Sequence, residues 1–176
     1  MLIRSVCFNI YLLAGLLALL AGGCTTPSKD AKKDGKKVES ALRLHLEVNP
    51  HPAAQTMRVT VGRSDPVAMV VDSEPFLTEM HVDKASVLDM LGGFSVVIQF
   101  DSDGAILLEQ YTGAYNGRRM AIGAEFGESR WIAAPVIRKR LADGQLVFTP
   151  DLTREEAERF VRGLNRVAEL VRKGRK

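Results

Sequence analysis

The strongest constraint on the fold is a change of hydrophobic period in the middle of the chain. Before the change, every second side chain is apolar and large, at Phe94, Val96, Ile98 and Phe100. A period of two is typical of a strand with one buried face. After Asp101, which can cap a helix, apolar residues recur at helical spacing until Asn116 and Gly117 end the pattern. The sequence therefore predicts a strand followed directly by a helix over residues 102–115.

Shorter alternating runs predict further strands on both sides of this pair. They cover residues 42–48, 57–61, 67–71, 120–126, 131–137 and 145–148, with an irregular strand over 78–90. Residues 153–156 form a capping box, and the apolar stripe over residues 157–171 predicts a final helix. Strands with two separated helices predict an α+β fold, in which two helices pack on one face of a largely antiparallel sheet.

The distribution of charge argues against a nucleic-acid partner. The chain has 24 Lys and Arg against 21 Asp and Glu, and the two signs are interspersed along most of its length. The two basic stretches, residues 29–37 and 172–176, contain no aromatic residue on which a base could stack. We expect no binding to nucleic acid.

The first residues have the features of a secretory signal peptide. Arg4 precedes a mainly apolar segment, residues 6–20, which is too short for a typical membrane-spanning helix. Small residues then lead to Cys24. The only other cysteine, Cys7, lies in the segment that export would remove, so a mature chain would keep one thiol. The alternative is a plain signal peptide or an uncleaved anchor in which Cys24 is incidental.

Two glycines directly before Cys24 resemble the lipobox of bacterial lipoproteins, although Ala21 stands where leucine is commoner. The resemblance implies cleavage before Cys24 and acylation of its thiol and amino group. By analogy with lipoprotein sorting in Gram-negative bacteria, Thr25 instead of aspartate favours the outer membrane if the host is Gram-negative, with the domain facing the periplasm. We therefore predict three regions: a signal peptide over residues 1–23, a flexible lipidated tether over 24–39 and one domain over 40–176.

No catalytic or metal-binding pattern is evident. The three histidines, His45, His51 and His81, lack metal-ligand spacing, and His45 falls on the polar side of its predicted strand. No serine stands in a G-x-S-x-G turn, and no phosphate-binding loop is present. We expect no enzyme, no cofactor and no metal. The candidate contacts for an anion or a protein partner are Arg118, Arg119 and Trp131.

Several short motifs in the second half together resemble one family. They are residues 94–112 (FSVVIQFDSDGAILLEQYT), 116–122 (NGRRMAI), 133–137 (AAPVI) and 148–157 (FTPDLTREEA), with 71–78 (VDSEPFLT) ahead of them. In this order they resemble the head subdomain of the large periplasmic domain of SecD, which aids late stages of protein export. Ala133 replaces the family's serine, and Trp131 stands where a smaller apolar residue is usual. The resemblance implies the fold and a polypeptide-contacting surface, without the proton-driven motor of a multi-span protein.

We therefore expect a non-catalytic, lipid-anchored envelope protein. It would contact exported polypeptides or an envelope protein by an apolar groove or a sheet edge. The alternative is a structural lipoprotein whose tether and basic tail engage anionic lipid or a cell-wall polymer. An enzyme would need converging polar residues, such as His45 and His81 with a carboxylate.

Overall fold

A computed structural model describes residues 39–50, 55–63 and 65–174. Within these ranges lie nine strands, one short 3-10 helix and two α-helices. The strands are β1 (Ala41–Leu46), β2 (Thr56–Val61), β3 (Val67–Asp72), β4 (Leu77–Thr78), β5 (Val82–Met90), β6 (Gly93–Phe100), β7 (Met120–Glu125), β8 (Ser129–Ala133) and β9 (Gln145–Phe148); the 3-10 helix is Glu79–His81, and the α-helices are α1 (Ser102–Ala114) and α2 (Arg154–Gly174). The predicted α+β class with antiparallel strands and two helices is confirmed.

The strands divide into three antiparallel sheets rather than one. The central sheet has the order β4-β1-β7-β8, a second sheet has the order β5-β6-β9, and β2 and β3 form a separate hairpin. The front face of the central sheet enters the main core, which it shares with the second sheet and both helices. Its largest members include Leu42, Leu44, Ile122, Phe126 and Phe160.

The back face of the central sheet is covered in part by the β2–β3 hairpin. The inner side chains of the hairpin form a second small core with Ala121; they are Val59, Val61, Met69 and Val71. Val48 N–H donates to Val70 O at 2.9 Å, which fastens the end of β3 beside the end of β1. The four-stranded sheet is therefore buried on its front face and half-covered on its back face.

Helix α2 closes the free edge of β5. The Asn165 amide donates to Ala85 O at 2.8 Å and accepts from Ala85 N–H at 2.7 Å, so one side chain replaces a neighbouring strand. At the start of the helix Arg154 pairs with Asp89. At Gly163 the helix approaches Ser40 so closely that an added Cβ would lie 2.8 Å from the Ser40 Cβ. An edge covered in this way cannot pair with another chain.

The predicted helix starts are confirmed in detail. Asp101 caps α1 by accepting from Gly104 N–H at 2.9 Å. At α2 the Glu156 carboxylate accepts from Thr153 N–H at 2.8 Å, and the Thr153 hydroxyl accepts from Glu156 N–H at 3.2 Å. This reciprocal pair satisfies two N–H groups that a helix start otherwise leaves free.

Two sequence expectations differ from the structure. The irregular strand expected over 78–90 is the short β4, a 3-10 turn and a regular β5. The regular strand expected over 131–137 ends at Ala133, after a register shift opposite Ile122 and Gly123. Beyond it, pairing continues only as a short irregular stretch, in which Met120 N–H donates to Pro135 O at 3.0 Å and Val136 forms a bridge with Arg119. Cys24, the predicted signal peptide and nearly all of the tether lie outside the described residues. Among the described helices, none is long and apolar enough to cross a membrane.

Candidate functional site

The uncovered half of the back face forms a groove of about 360 Å³. Its floor is the central sheet, and its walls are formed by Trp131 of β8 and by the β2–β3 hairpin with the segment that follows it. We call it the back-face groove. Its lining residues are Ala41, Arg43, His45, Met57, Ser73, Pro75, Gly123, Ala124, Glu125, Ser129, Arg130 and Trp131.

Strand register explains why these side chains meet. Arg43 lies opposite Gly123, and Ala41 lies opposite Glu125, so all four share the back face. Gly123 also lies opposite Trp131 in the next strand. An added Cβ at Gly123 would lie 3.3 Å from the Trp131 ring, so the absence of a side chain leaves the indole room to lie along the sheet. The Trp131 indole therefore forms a wide apolar wall, and the floor beside it has no side chain at Gly123.

His45 lies beneath the groove and is only 2% exposed. The sequence placed it correctly on the side of β1 opposite the leucines, where Arg43 is exposed, but did not predict that this side is covered at His45. The hairpin and Trp131 cover it, and the two rings meet edge to face at 5.2 Å between centroids. Its Nδ1–H donates to the Asp72 carbonyl at 2.8 Å, which joins the floor of the groove to the end of β3.

Burial lowers the pKa of His45 below its ordinary value, because the charged imidazolium would lose its hydration. The hydrogen bond to Asp72 O acts in the opposite direction, and the nearby Arg43 adds to the lowering. The neutral imidazole is therefore the form that this fold holds at neutral pH.

The rim of the groove carries charges of both signs. Arg130 is held by Glu156 at 3.1 Å and Glu128 at 3.4 Å, with its guanidinium 5.6 Å from the Phe126 ring centroid. Arg43 and Glu125 are exposed, and neither takes part in an ion pair among the described residues. The groove thus combines fixed apolar walls with adaptable charges at its mouth.

The three predicted contact residues do not lie together. Trp131 forms a wall of the groove, whereas Arg118 and Arg119 lie immediately before β7 and bond to backbone carbonyls. Arg118 donates to Glu47 O at 3.3 Å, and Arg119 donates to Ala134 O at 3.4 Å. Both therefore fasten neighbouring segments of the chain, and their role as anion contacts stays a prediction.

Sequence reasoning missed most of the groove. The residue types of Met57 and Gly123 do not by themselves indicate a binding site. Only the arrangement of the strands shows that they share a surface with Trp131. Of the predicted histidines, His51 lies outside the described residues and His81 lies in the 3-10 helix. No group of three or more potential metal ligands occurs within the ranges that the structure describes.

Comparison with known proteins gives one family. The model of the SecDF P1 head subdomain matches residues 54–168, well over half of the chain. The chain belongs to the SecDF P1 head family. No curated protein sequence matches it.

Two solved structures show the same fold. One, described as a membrane component SecDF that enhances protein export, superposes with a TM-score of 0.53 at 22% identity over 73% of this chain and 63% of that one. The other, SecDF in a super-membrane-facing form, gives 0.54 at 22% identity over 73% of this chain and 19% of that one. This P1 head protein therefore spans less than two thirds of either relative.

The pKa of His45 predicts how stability depends on pH. Its folded-state pKa lies below the unfolded value of about 6.5, so the unfolded chain binds the proton more readily. The contribution of His45 to the free energy of unfolding is therefore complete above this pH and is lost as the pH falls below it. Urea unfolding at pH about 7.5 and about 5.5 measures the resulting change in the free energy of unfolding.

A His45→Asn variant provides the control, because its amide can still donate to Asp72 O but does not titrate in this range. The variant should lose less stability than the wild type between the two pH values. Equal losses in both proteins would show that other groups cause the pH dependence.

Proposed function

We propose that this protein is a lipid-anchored accessory module of protein export, and that the back-face groove holds an apolar, extended segment of an exported polypeptide. The observation that most supports this is the groove itself, open on one side and walled by Trp131 and Met57. Membership of the P1 head family supports the link to export. The proposed role is binding rather than catalysis.

The chemistry of the groove suits a weakly selective polypeptide site. Its volume falls in the range of roughly 300–1,000 Å³ common to ligand sites. An indole offers a large rigid surface, and a methionine adapts to side chains of different shape. The charges of Arg43 and Glu125 at the mouth allow flanking residues of either sign. Such a site favours apolar segments in general over one particular sequence.

Hydrogen bonding in the groove favours binding over catalysis. A hydroxyl nucleophile needs an adjacent base within hydrogen-bond reach. The Ser73 hydroxyl donates instead to Gln55 O at 2.8 Å, and the His45 Nδ1–H donates to Asp72 O. The Ser73 hydroxyl is thus committed to a backbone carbonyl, and no hydrogen bond joins it to His45 among the described residues. The family is a translocon accessory, which agrees with a role without a chemical step.

Lipid on Cys24 would keep this groove near the membrane on the periplasmic side of the envelope. Two or more acyl chains anchor a protein stably. Residues 25–38 can reach about 50 Å at roughly 3.5 Å per residue. Strand β1 begins at Ala41, which itself lines the groove, so the tether would enter the domain close to its binding site.

Replacement of Cys24 tests the anchor directly. In cells, a Cys24→Ser variant should move from the membrane fraction to the soluble fraction and should lose incorporation of labelled palmitate. The matched control is Cys7→Ser, because that residue lies in the segment predicted to be removed. Cys24→Ser protein that remains membrane-bound would contradict lipid anchoring.

The groove can be tested through its own fluorescence, because Trp131 is the only tryptophan in the chain. Titration with an alkylated, permanently unfolded polypeptide without tryptophan should shift the emission of Trp131 to shorter wavelength. A Met57→Ser variant should weaken binding about tenfold, since an apolar side chain of this size contributes roughly 1.5 kcal/mol when buried. The full-length chain in detergent serves for this measurement.

Met80→Ser is the matched control, because Met80 is 50% exposed and does not line the groove. It should bind the unfolded polypeptide like the wild type. Thermal unfolding of both variants checks that the fold is intact. An unchanged Trp131 emission at saturating polypeptide, or equal weakening by the two substitutions, would exclude the groove as the binding site.

A further inference from the structure

Strand β9 is an open edge of the second sheet. It pairs with β6 on one side, and no strand lies on its other side among the described residues. The opposite edge of this sheet, β5, is closed by α2 through Asn165. One edge of the sheet is thus covered and the other is left accessible. Unpaired edges offer backbone groups to an incoming strand.

The hydrogen-bond pattern identifies the free backbone groups. Phe100 N–H donates to Gly144 O at 3.0 Å, so in the alternating antiparallel ladder Leu146 and Phe148 bond to β6. The backbone groups of Gln145 and Val147 then point away from the sheet. Gln145 N–H is taken by the Asp143 carboxylate at 3.2 Å. Val147 offers both its N–H and its C=O to a new strand.

An apolar cavity of about 170 Å³ lies beside this edge. Most of its lining is contributed by the side chains of β9 and of the segment after β8. The apolar members are Met120, Pro135, Val136, Ile137, Leu141, Leu146 and Val147. Val147 is 47% exposed although its neighbours in β9, Leu146 and Phe148, are buried. A strand added to β9 could place one apolar side chain in this cavity.

Two cations line the same cavity and favour a ligand that carries negative charge. Arg138 and Lys139 are exposed, and neither belongs to an ion pair within the described part of the chain. The next residue, Arg140, differs because Glu109 holds it at 2.6 Å. Two unpaired cations beside an apolar cavity complement a segment in which acidic and apolar residues alternate.

We propose that β9 binds an extended, acidic segment of a partner protein by strand addition. The partner's backbone pairs with Val147, one of its apolar side chains enters the cavity, and its carboxylates face Arg138 and Lys139. Backbone pairing supplies affinity in such complexes, and alternate side chains supply specificity. This surface lies apart from the back-face groove and shares no lining residue with it.

The test uses a labelled seven-residue peptide of alternating glutamate and valine, acetylated and amidated, with binding followed by fluorescence anisotropy. The wild type should bind it more weakly as salt increases. An Arg138→Glu/Lys139→Glu variant should lose about tenfold in affinity. The matched control is Arg159→Glu/Lys173→Glu, which makes the same change of charge at exposed sites on α2 and should keep wild-type affinity.

Two N-methylated peptides test the backbone pairing. One has methyl groups on the valine nitrogens and the other on the glutamate nitrogens. Because alternate N–H groups of a strand point to opposite sides, only one of the two should lose binding. Met57→Ser protein should bind the parent peptide like the wild type, so failure of the groove would leave this result unchanged.

Three outcomes would overturn the proposal: no binding of the parent peptide, equal loss in both charge-reversal variants, or equal affinity for the two methylated peptides. The first would mean that Arg138 and Lys139 serve only to keep the edge from pairing, which is a common use of charge at exposed strands. The second would mean that overall charge alone attracts the peptide.

Discussion

Partial burial of the back face of β1 and β7 is the constraint on which the site depends. The β2–β3 hairpin covers Ala121 and His45 but leaves the floor around Gly123 open. The far end of the hairpin is fastened to the start of α2 and the segment before it, because Arg63 N–H donates to Asp151 at 2.6 Å and its guanidinium lies 3.6 Å from Glu156. A longer hairpin would fill the groove. Without the hairpin, the whole back face of the sheet would be exposed.

The two edges of the second sheet likewise differ in how far they are covered. Helix α2 satisfies the backbone of β5 with a side-chain amide, so this edge is both hydrogen-bonded and covered. Strand β9 has only four residues and no such cover among the described residues. Its Val147 is therefore the point at which another chain could continue the sheet. A short edge strand flanked by the cations Arg138 and Lys139 limits unspecific pairing and leaves room for a complementary partner.

Local pattern predicted the elements well and their assembly less well. The alternation ending at Phe100 and the caps at Asp101 and Thr153 depend on neighbours in sequence, so they could be read directly. The division into three sheets and the burial of His45 depend on distant contacts. Alternation shows which side chains share a face but not what lies against that face. The sequence pattern could not predict the groove for the same reason, since its lining comes from three strands of the central sheet and from the hairpin.

Family membership and the groove together support the proposed role in protein export. In the proposed account, the lipid on Cys24 holds the domain in place and the back-face groove holds the substrate. Both functions would meet at the start of β1, where Ala41 lines the groove.

Site-specific photo-crosslinking in cells shows directly whether the back-face groove contacts an exported polypeptide. A photo-reactive amino acid replaces Arg43 in the groove or, as a control, Arg162 on the exposed side of α2, while an exported polypeptide is stalled during translocation. The account predicts a crosslink to the stalled polypeptide from position 43 and none from position 162. A stalled polypeptide that crosslinks equally from both positions, or from neither, would contradict it.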